Sequence, residues 1–243
     1  MAMGNILRTN AIPVYGFLSY LKYHEDDFGK LQGKRILDCG AGGSLPPVTI
    51  FAQAGCEAFG IDNNPEQLAL AKSYCDEHGV SVNLHQGDMR AIPFEDESFD
   101  IVYEHFAMCH LSKNDNRKSL GEMMRVLKSG GICFAGFISK NTWPIVGEEI
   151  NPGEFAAEEH GARALHSFFS DAEAAEMVAD WLILKKEIIT RWDTAHWVSV
   201  SRADWQKIYE ENSAACSPSE WSEMYDDRTT KACYSHIYFI LQK

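Results

Sequence analysis

Short apolar runs alternate with longer amphipathic segments over residues 35–138 of the chain. The runs have the length of buried strands, and most are followed by glycine or by polar turn residues. In the amphipathic segments, apolar residues recur at the three- and four-residue spacing of a helix, as at Leu68, Ala71 and Cys75. This regular alternation predicts an α/β fold with a parallel, doubly wound sheet and helices on both of its faces.

Two more apolar runs near the end of the chain bring the predicted sheet to seven strands. The predicted strands are 35–39, 57–62, 80–85, 99–103, 132–138, 181–190 and 234–241. Between the fifth and sixth strands, 139–165 is irregular in pattern. Before the last strand, 191–232 is too long for a simple hairpin and predicts helices of its own.

The ends of the predicted helices carry recognisable signals. Asn63 or Asn64 is expected to cap a helix that begins at Pro65 and ends at Gly79. A further helix is expected over about 115–128. Residues 1–30 predict one or two short helices with an aromatic stripe.

Composition narrows the class of protein. The chain has 45% hydrophobic residues, enough for a large core, and a formal net charge of −13. This charge argues against a nucleic-acid partner, since phosphate contacts need clustered Lys and Arg. No apolar run approaches the roughly 18 residues of a membrane span, and the N-terminus lacks a signal pattern. We therefore expect a cytoplasmic protein with no membrane partner.

Seven cysteines occur without a Cys-x-x-Cys pair. The odd count and the missing pair argue against both a disulfide framework and a thiolate metal site. No metal is expected.

The most specific motif follows the first predicted strand. Asp38 and Cys39 lead into a glycine cluster at Gly40, Gly42 and Gly43. Glycines at this place let a backbone approach a ligand closely, and in open α/β sheets ligands bind outside the carboxyl ends of the strands. A ligand-binding loop is predicted, although a purely structural turn would have the same composition.

A second acid supports the ligand-binding interpretation. Asp62 ends the second predicted strand, 20 residues after Gly42, where a carboxylate suits two ribose hydroxyls. The nicotinamide fingerprint needs a third glycine, but Leu45 stands at that position. Asp38, two residues before Gly40, is badly placed for a pyrophosphate and well placed for an ammonium group. S-adenosylmethionine therefore fits the pattern better than NAD(P).

With these motifs in order, residues 35–137 resemble a class I S-adenosylmethionine-dependent methyltransferase. The matching segments are 36–42, 60–63, 86–89, 98–105, 127–131 and 166–170. The resemblance implies a Rossmann-like sheet whose last strand is antiparallel, with helical cap insertions. It also implies S-adenosylmethionine as the cofactor and a small-molecule acceptor. Gly43 is followed by residues 44–47, Ser-Leu-Pro-Pro, which depart from the family pattern.

The resemblance also implies the cofactor-binding residues. The first motif would hold the methionine part, Asp62 the ribose, and Asp88 with the backbone of Met89 the adenine, while the fourth motif would lie beside the methyl group. The residues expected to bind the cofactor are Asp38, Gly40, Ala41, Gly42, Asp62, Asn63, Asp88, Met89, Glu104 and His105.

No catalytic base follows from the sequence. His105, Glu104 and His110 are candidates because they follow the fourth strand. For His105, ligand contact and packing remain open alternatives. For His110 we favour packing or a helix end. Glu104 either orients the cofactor or a cationic acceptor, or is a solvated strand end.

Aromatic residues outside the core are candidates for contact with the acceptor. Tyr15, Tyr20, Trp143 and Trp197 could form a cage around a cationic group, although each alone is more often a core residue.

We expect a single domain over 1–243. Its parts are cap helices at 1–30, a cofactor-binding core at 31–138, and cap insertions with the last helix and strands at 139–243. Two alternative functions stay open: an NAD(P)-dependent oxidoreductase and a non-catalytic S-adenosylmethionine-binding module. The sequence predicts no oligomeric state.

Overall fold

The computed structural model describes residues 12–23, 31–159, 161–192, 194–212 and 216–243. Within these ranges the chain forms ten strands and eight α-helices. The strands are β1 (Arg35–Cys39), β2 (Glu57–Asp62), β3 (Asn83–Gln86), β4 (Phe99–Tyr103), β5 (Leu127–Ser139), β6 (Glu148–Asn151), β7 (Glu154–Glu159), β8 (Ala162–Phe169), β9 (Leu182–Trp192) and β10 (Cys233–Gln242). The helices are α1 (Ile12–Tyr23), α2 (Val48–Gln53), α3 (Pro65–His78), α4 (Lys113–Val126), α5 (Asp171–Met177), α6 (Thr194–Ser199), α7 (Arg202–Asn212) and α8 (Pro218–Lys231).

The central sheet has the predicted seven strands, in the order β3-β2-β1-β4-β5-β10-β9. The first five pair in parallel, whereas β10 runs antiparallel to both β5 and β9. The predicted fold class, with its antiparallel last strand, is thus confirmed. Strands β1, β2 and β4 are almost wholly buried, as expected when helices cover both faces of a parallel sheet.

Capping groups fix the helices at the carboxyl edge of the sheet. The Asn64 side chain accepts hydrogen bonds from the backbone N–H groups of Glu66 and Gln67, and Gly79 ends α3 in the left-handed conformation. Ser112 caps α4, which begins and ends two residues earlier than predicted.

Of the helices that the structure describes, none combines the length and apolar character that crossing a bilayer requires.

The prediction for residues 139–165 is wrong. This segment forms an antiparallel meander of β6, β7 and the start of β8 rather than an irregular or helical insertion. The Asn-Pro-Gly sequence at 151–153 is a hairpin turn, with Gly153 at φ 75°. β8 then joins the end of β5, pairing Phe168 with Ile138. The turn residues were visible in the sequence, but their partner strands were not.

The second insertion is helical, as predicted. Trp205 of α7 and Trp221 of α8 stack with ring centroids 4.2 Å apart. Each indole N–H donates to the other residue's backbone carbonyl, at 2.5 and 2.7 Å. These mutual bonds satisfy both buried indoles, so the helices have a small core of their own.

At the other end of the chain, α1 packs Val14 and Phe17 into the core on one face of the sheet. Phe17 lies against Phe134 of β5, with ring centroids 4.9 Å apart. The rest of the predicted segment 1–30 lies outside the described residues.

Candidate functional site

Two cavities lie at the carboxyl edge of the parallel strands. The first has a volume of about 430 Å³, and its walls are the loops that follow β1, β2, β3 and β4. The second has a volume of about 510 Å³ and lies between the turn after β4, the end of β5, the meander and β10. This is the edge at which open α/β sheets bind ligands.

The glycine loop forms one wall of the first cavity. Gly40 has φ +124°, and a Cβ at this position would overlap the Cβ of Ala107. A Cβ on Gly42 would overlap Asp62 Oδ2 and come within 2.6 Å of Gln67 Cβ. The loop is held by the backbone N–H of Gly43, which donates to Gln67 O at 3.0 Å. The glycines are therefore required by close approach as well as by conformation.

Asp62 links the loops on two sides of the first cavity. Its Oδ2 accepts from the N–H of Gly42 at 3.0 Å, and its Oδ1 accepts from the N–H of Asn64 at 2.9 Å. Each carboxylate oxygen has two lone pairs, so both can accept one more hydrogen bond. Asp62 lines the cavity. It is thus fixed in place and still able to bind a pair of hydroxyls.

Asp88, Met89 and Asn63 also line the first cavity. Asp88 forms an ion pair with Arg90 at 2.6 Å, and Arg90 also binds Asp115 at 3.0 Å. The hydrogen bonds from Arg90 lower the pKa of Asp88, so it is ionised at neutral pH.

Asp38 lies behind the first cavity and is not among the described residues that line it. It is 2% exposed, and the Tyr103 hydroxyl donates to its Oδ2 at 2.5 Å. Burial raises the pKa of Asp38 to about 7, in spite of this hydrogen bond, which favours the ionised form. The side-chain contact that Asp38 makes in this structure is with Tyr103, and contact with an ammonium group stays a prediction. Ala41 is also buried, against Gly60.

Glu104 is a structural anchor rather than a solvated strand end or a group in either cavity. It is 1% exposed, and its Oε1 accepts from the N–H of Gly136 at 2.6 Å. Its Oε2 accepts from the N–H groups of Ala107 and Met108, both at 3.2 Å. Burial raises the pKa of Glu104 to about 7, although these three N–H groups favour the carboxylate. The carboxyl end of β4 is an interior position because β5 extends past it.

The two histidines have different surroundings. His105, left open between ligand contact and packing, packs against Phe106 with ring centroids 4.0 Å apart and is not among the described residues that line a cavity. His110, for which packing or a helix end was favoured, ends a short 3₁₀ helix, is exposed and lines both cavities. The 3₁₀ helix Met108–His110 turns the chain so that His110 faces outward while Met108 and Cys109 are buried.

The predicted aromatic cage is not assembled. Tyr15 and Tyr20 belong to α1 and pack, partly buried, against the core on one face of the sheet. Trp143 and Trp197 belong to the aromatic core around Trp205 in the C-terminal insertion. Each ring packs within its own part of the fold, so the four do not converge on one site.

The second cavity has mainly apolar walls with a few polar groups. Ile138, Phe168 and Val146 supply apolar surface, while Glu158 and His166 supply polar atoms. Sequence analysis missed this cavity. His166 lies in a segment that the sequence marked only by its family resemblance. Phe106, which lines both cavities, has φ 62°. No sequence pattern predicts this backbone conformation for a residue other than glycine.

Among the described residues, no group of three or more His, Cys, Asp or Glu side chains is arranged to hold a metal ion.

The first cavity does fit S-adenosylmethionine. Its volume lies in the range of small-molecule sites, its glycines let the loop backbone lie close to Ala107 and Asp62, and Asp62 has acceptors to spare for a ribose. Ionised Asp88 lines the same cavity, and both of its carboxylate oxygens accept hydrogen bonds from Arg90.

Comparisons with known proteins agree with this fit. A family model described as a methyltransferase domain matches residues 37–135. The sterol 24-C-methyltransferase of Schizosaccharomyces pombe is 37% identical over 121 residues, which make up 46% of this chain and 29% of the relative. The demethylmenaquinone methyltransferase of Thermus thermophilus is 37% identical over 99 residues, 40% of this chain and 44% of the relative. The chain thus spans less than half the length of these curated relatives.

The fold of most of the chain also has a known counterpart. A crystal structure of an S-adenosylmethionine-dependent methyltransferase from Methanosarcina mazei matches with a TM-score of 0.63 at 17% identity, covering 87% of this chain and 93% of that one. The family match covers the part of the chain that forms the first cavity, and the fold match extends beyond it. Residues 37–135 thus match a methyltransferase domain, and the matches together support a class I S-adenosylmethionine-dependent methyltransferase with S-adenosylmethionine as its cofactor.

Proposed function

We propose that this chain is an enzyme that transfers a methyl group from S-adenosylmethionine to a small-molecule acceptor. The observation that carries the proposal is the pair of cavities with a common wall. Phe106 and His110 line both, so a ligand in the first cavity is separated from one in the second by these two side chains. A donor site directly beside an acceptor site is what a direct displacement requires.

The first cavity supplies binding and orientation. Asp62, held by two backbone N–H groups, would accept hydrogen bonds from the ribose hydroxyls, and Asp88 and Met89 would bind the adenine. The bound cofactor contributes an electrophilic methyl group on a positively charged sulfur. The protein's part is then to align the acceptor and to exclude water.

The second cavity would hold the acceptor. Its apolar walls at Ile138, Phe168 and Val146 favour an apolar molecule, and its volume of about 510 Å³ suits a small one. The names of the two curated relatives describe a sterol and a demethylmenaquinone as acceptors. We propose the same general character, small and mainly apolar, without assigning either acceptor to this chain.

Two further expectations belong to this proposal. The net charge of −13 supports a chain without a nucleic-acid partner. A cytoplasmic location is supported by the seven free cysteines, which a reducing compartment preserves.

The test is calorimetric titration with S-adenosylmethionine and with S-adenosylhomocysteine. The protein should bind both, and Asp62→Ala should bind them about 10- to 100-fold more weakly because hydrogen bonds to a charged group are lost. Asp76→Ala is the matched control, since Asp76 is an exposed acid on α3 that binds Lys72. Its affinity should equal that of the wild type.

A labelled methyl donor then tests turnover against a pool of small apolar acceptors. Transfer to at least one of them is the expected result. If neither ligand bound, the proposal would be wrong, and titration with NADH would test the oxidoreductase alternative. Tight binding of S-adenosylmethionine with no transfer to any compound would favour a non-catalytic binding module.

A further inference from the structure

The wall between the two cavities contains one titratable side chain. Of the described residues around the cavities, Phe106 and His110 are the two that line both. Phe106 has no proton to exchange. Any acceptor atom in the second cavity that faces a donor in the first therefore lies close to the imidazole of His110.

The backbone that carries His110 is firmly held. Asn116 Nδ2 donates to the carbonyls of Met108 at 3.0 Å and Leu111 at 3.1 Å, on either side of His110. Glu104 accepts from the N–H groups at the start of the same turn. The ring of His110 itself is exposed. A fixed backbone with an outward-facing ring is the arrangement expected of a residue that contacts ligand rather than core.

A second imidazole comes from a different element. The ring of His166, on β8, lies with its centroid 4.8 Å from that of His110, at an interplanar angle of 61°. The neighbouring Ser167 hydroxyl donates to Leu111 O at 2.5 Å, which ties β8 to the turn that carries His110. His166 lines the second cavity. The pair is therefore built by two elements that are bonded to each other.

We propose that the acceptor is an apolar ring compound with an acidic hydroxyl, phenolic or enolic, that His110 takes the proton of this hydroxyl, and that His166 positions the ring of His110. This inference rests on the proposed function. The apolar walls at Ile138 and Phe168 suit a ring, and His110 lies between the two cavities, where an imidazole nitrogen can accept the proton of the hydroxyl.

The step balances without another reactant. The O–H bond breaks and its proton moves to a ring nitrogen of His110. The electron pair of the oxygen forms the new bond to the methyl carbon, and the pair of the broken carbon–sulfur bond stays on the sulfur of the donor. The imidazolium then returns its proton to water.

The test uses para-nitrophenol, a ring with an acidic hydroxyl whose phenolate is coloured and whose phenol is not. The probe is titrated with protein saturated with S-adenosylhomocysteine, over a range of pH. Bound to the wild type, it should ionise at lower pH than in water, with about tenfold more phenolate relative to phenol at a given pH, since His110 takes the proton and the imidazolium formed stabilises the phenolate. The methylated isostere para-nitroanisole should bind without a change in colour.

Variants separate the roles of the two histidines. His110→Gln should bring the ionisation midpoint of the bound probe back to its value in water, and His166→Gln should move it in the same direction by a smaller amount. His78→Gln is the matched control, because His78 is an exposed histidine at the end of α3, away from both cavities. Its midpoint should equal that of the wild type.

Several outcomes would overturn the inference. One is an unchanged midpoint for probe bound to the wild type, and another is a midpoint in His110→Gln equal to that of the wild type. If S-adenosylhomocysteine binds but para-nitrophenol does not, or if para-nitroaniline is bound better, the acidic-hydroxyl class is wrong while the proposed function stands. If S-adenosylhomocysteine itself does not bind, both the inference and the proposed function fail.

Discussion

The two cavities lie side by side but are built in different ways. The first is made of consecutive strand-to-loop segments between Cys39 and Leu111, and backbone conformation and glycines shape much of it. The second is made of side chains drawn from positions between Phe106 and Tyr234, supplied by the meander, by β10 and by the turn after β4. The first is therefore recognisable from local motifs, whereas the second exists only once distant segments have packed together.

This difference fits a division of labour within the family fold. A cofactor that stays the same needs the same loops at the ends of β1, β2 and β3. An acceptor that differs among relatives can be accommodated by changing the side chains of the insertions. Variants that affect one cavity and not the other test this division.

The largest effect is expected at the glycine loop. Gly42→Val places methyl groups where Asp62 Oδ2 and Gln67 Cβ already lie, so the loop must move. We expect the affinity for the cofactor to fall by about a hundredfold. In free energy, this factor corresponds to the upper end of the cost of overpacking a well-packed site. Calorimetry with S-adenosylhomocysteine measures this fall.

The matched control is Gly121→Ala in α4, where an added Cβ meets nothing within 4 Å. Its affinity should be unchanged, and its stability should rise by up to about 1 kcal/mol because alanine favours a helix. Near-normal cofactor affinity in Gly42→Val would contradict the role assigned to the close approach at Gly42.

A variant of Glu104 should break the independence of the two cavities. Glu104→Gln replaces a carboxylate that accepts three backbone N–H groups with an amide that has one acceptor oxygen. We expect a loss of about 2 kcal/mol in the free energy of unfolding, since a buried donor is left without a partner. Because the turn carries Phe106 and His110, binding at both cavities should weaken together.

Chemical denaturation measures the stability change, and titrations with S-adenosylhomocysteine and para-nitrophenol measure the two sites. The outcome against this prediction is a variant that loses binding at one cavity and keeps it at the other.

Filling the second cavity should leave the first unaffected. Val146→Phe adds bulk to a wall of the second cavity, and Val146 does not appear among the described residues around the first. We expect about a tenfold lower turnover of the best acceptor, on the scale of a few methylene groups of misfit, with unchanged cofactor affinity. A drop in affinity for S-adenosylhomocysteine would show that the cavities are coupled through their walls.

The smallest effect concerns the pH dependence of stability. Burial raises the pKa of Asp38 from 3.8 to about 7, so the folded state holds a proton that the unfolded state has lost between these values. The favourable contribution of Asp38 is therefore complete below about pH 4 and is lost as the pH rises through about 7. Asp38→Asn should reduce the decline in stability over this window.

Unfolding of both proteins at several pH values measures the difference in slope. Tyr103→Phe supplies the comparison, since it removes the hydrogen bond to Asp38 and leaves the acid in place. It should steepen the decline. Parallel curves for wild type and Asp38→Asn would show that Asp38 does not titrate in this range.

Local signals predicted much of the fold and the first cavity. The glycine loop, Asp62 and Asp88 are short-range features, and the structure places all of them around one space. The sequence failed where a residue's surroundings come from elsewhere. Asp38 and Glu104 occur in matching motifs, yet Tyr103 and Gly136 turn their carboxyls inward.

The histidines show the same limit from the other side. His110 and His166 are 56 residues apart in sequence, and no local pattern indicates that the two lie together. Their rings meet because β8 pairs with β5 and Ser167 binds Leu111. Phe106 completes the wall between the cavities. Its backbone is in the left-handed region, which residues other than glycine rarely adopt.

The sequence by itself determined the alternation of strands and helices, the order of the motifs and the residues that demand glycine or a cap. These depend on hydrophobic periodicity and on backbone geometry, which act over a few residues. Tertiary structure alone decided which acids are buried, which aromatic rings form separate cores and which imidazoles face each other. Burial, hydrogen-bond partners and ring contacts are set by residues far away in the chain, and no local pattern contains them.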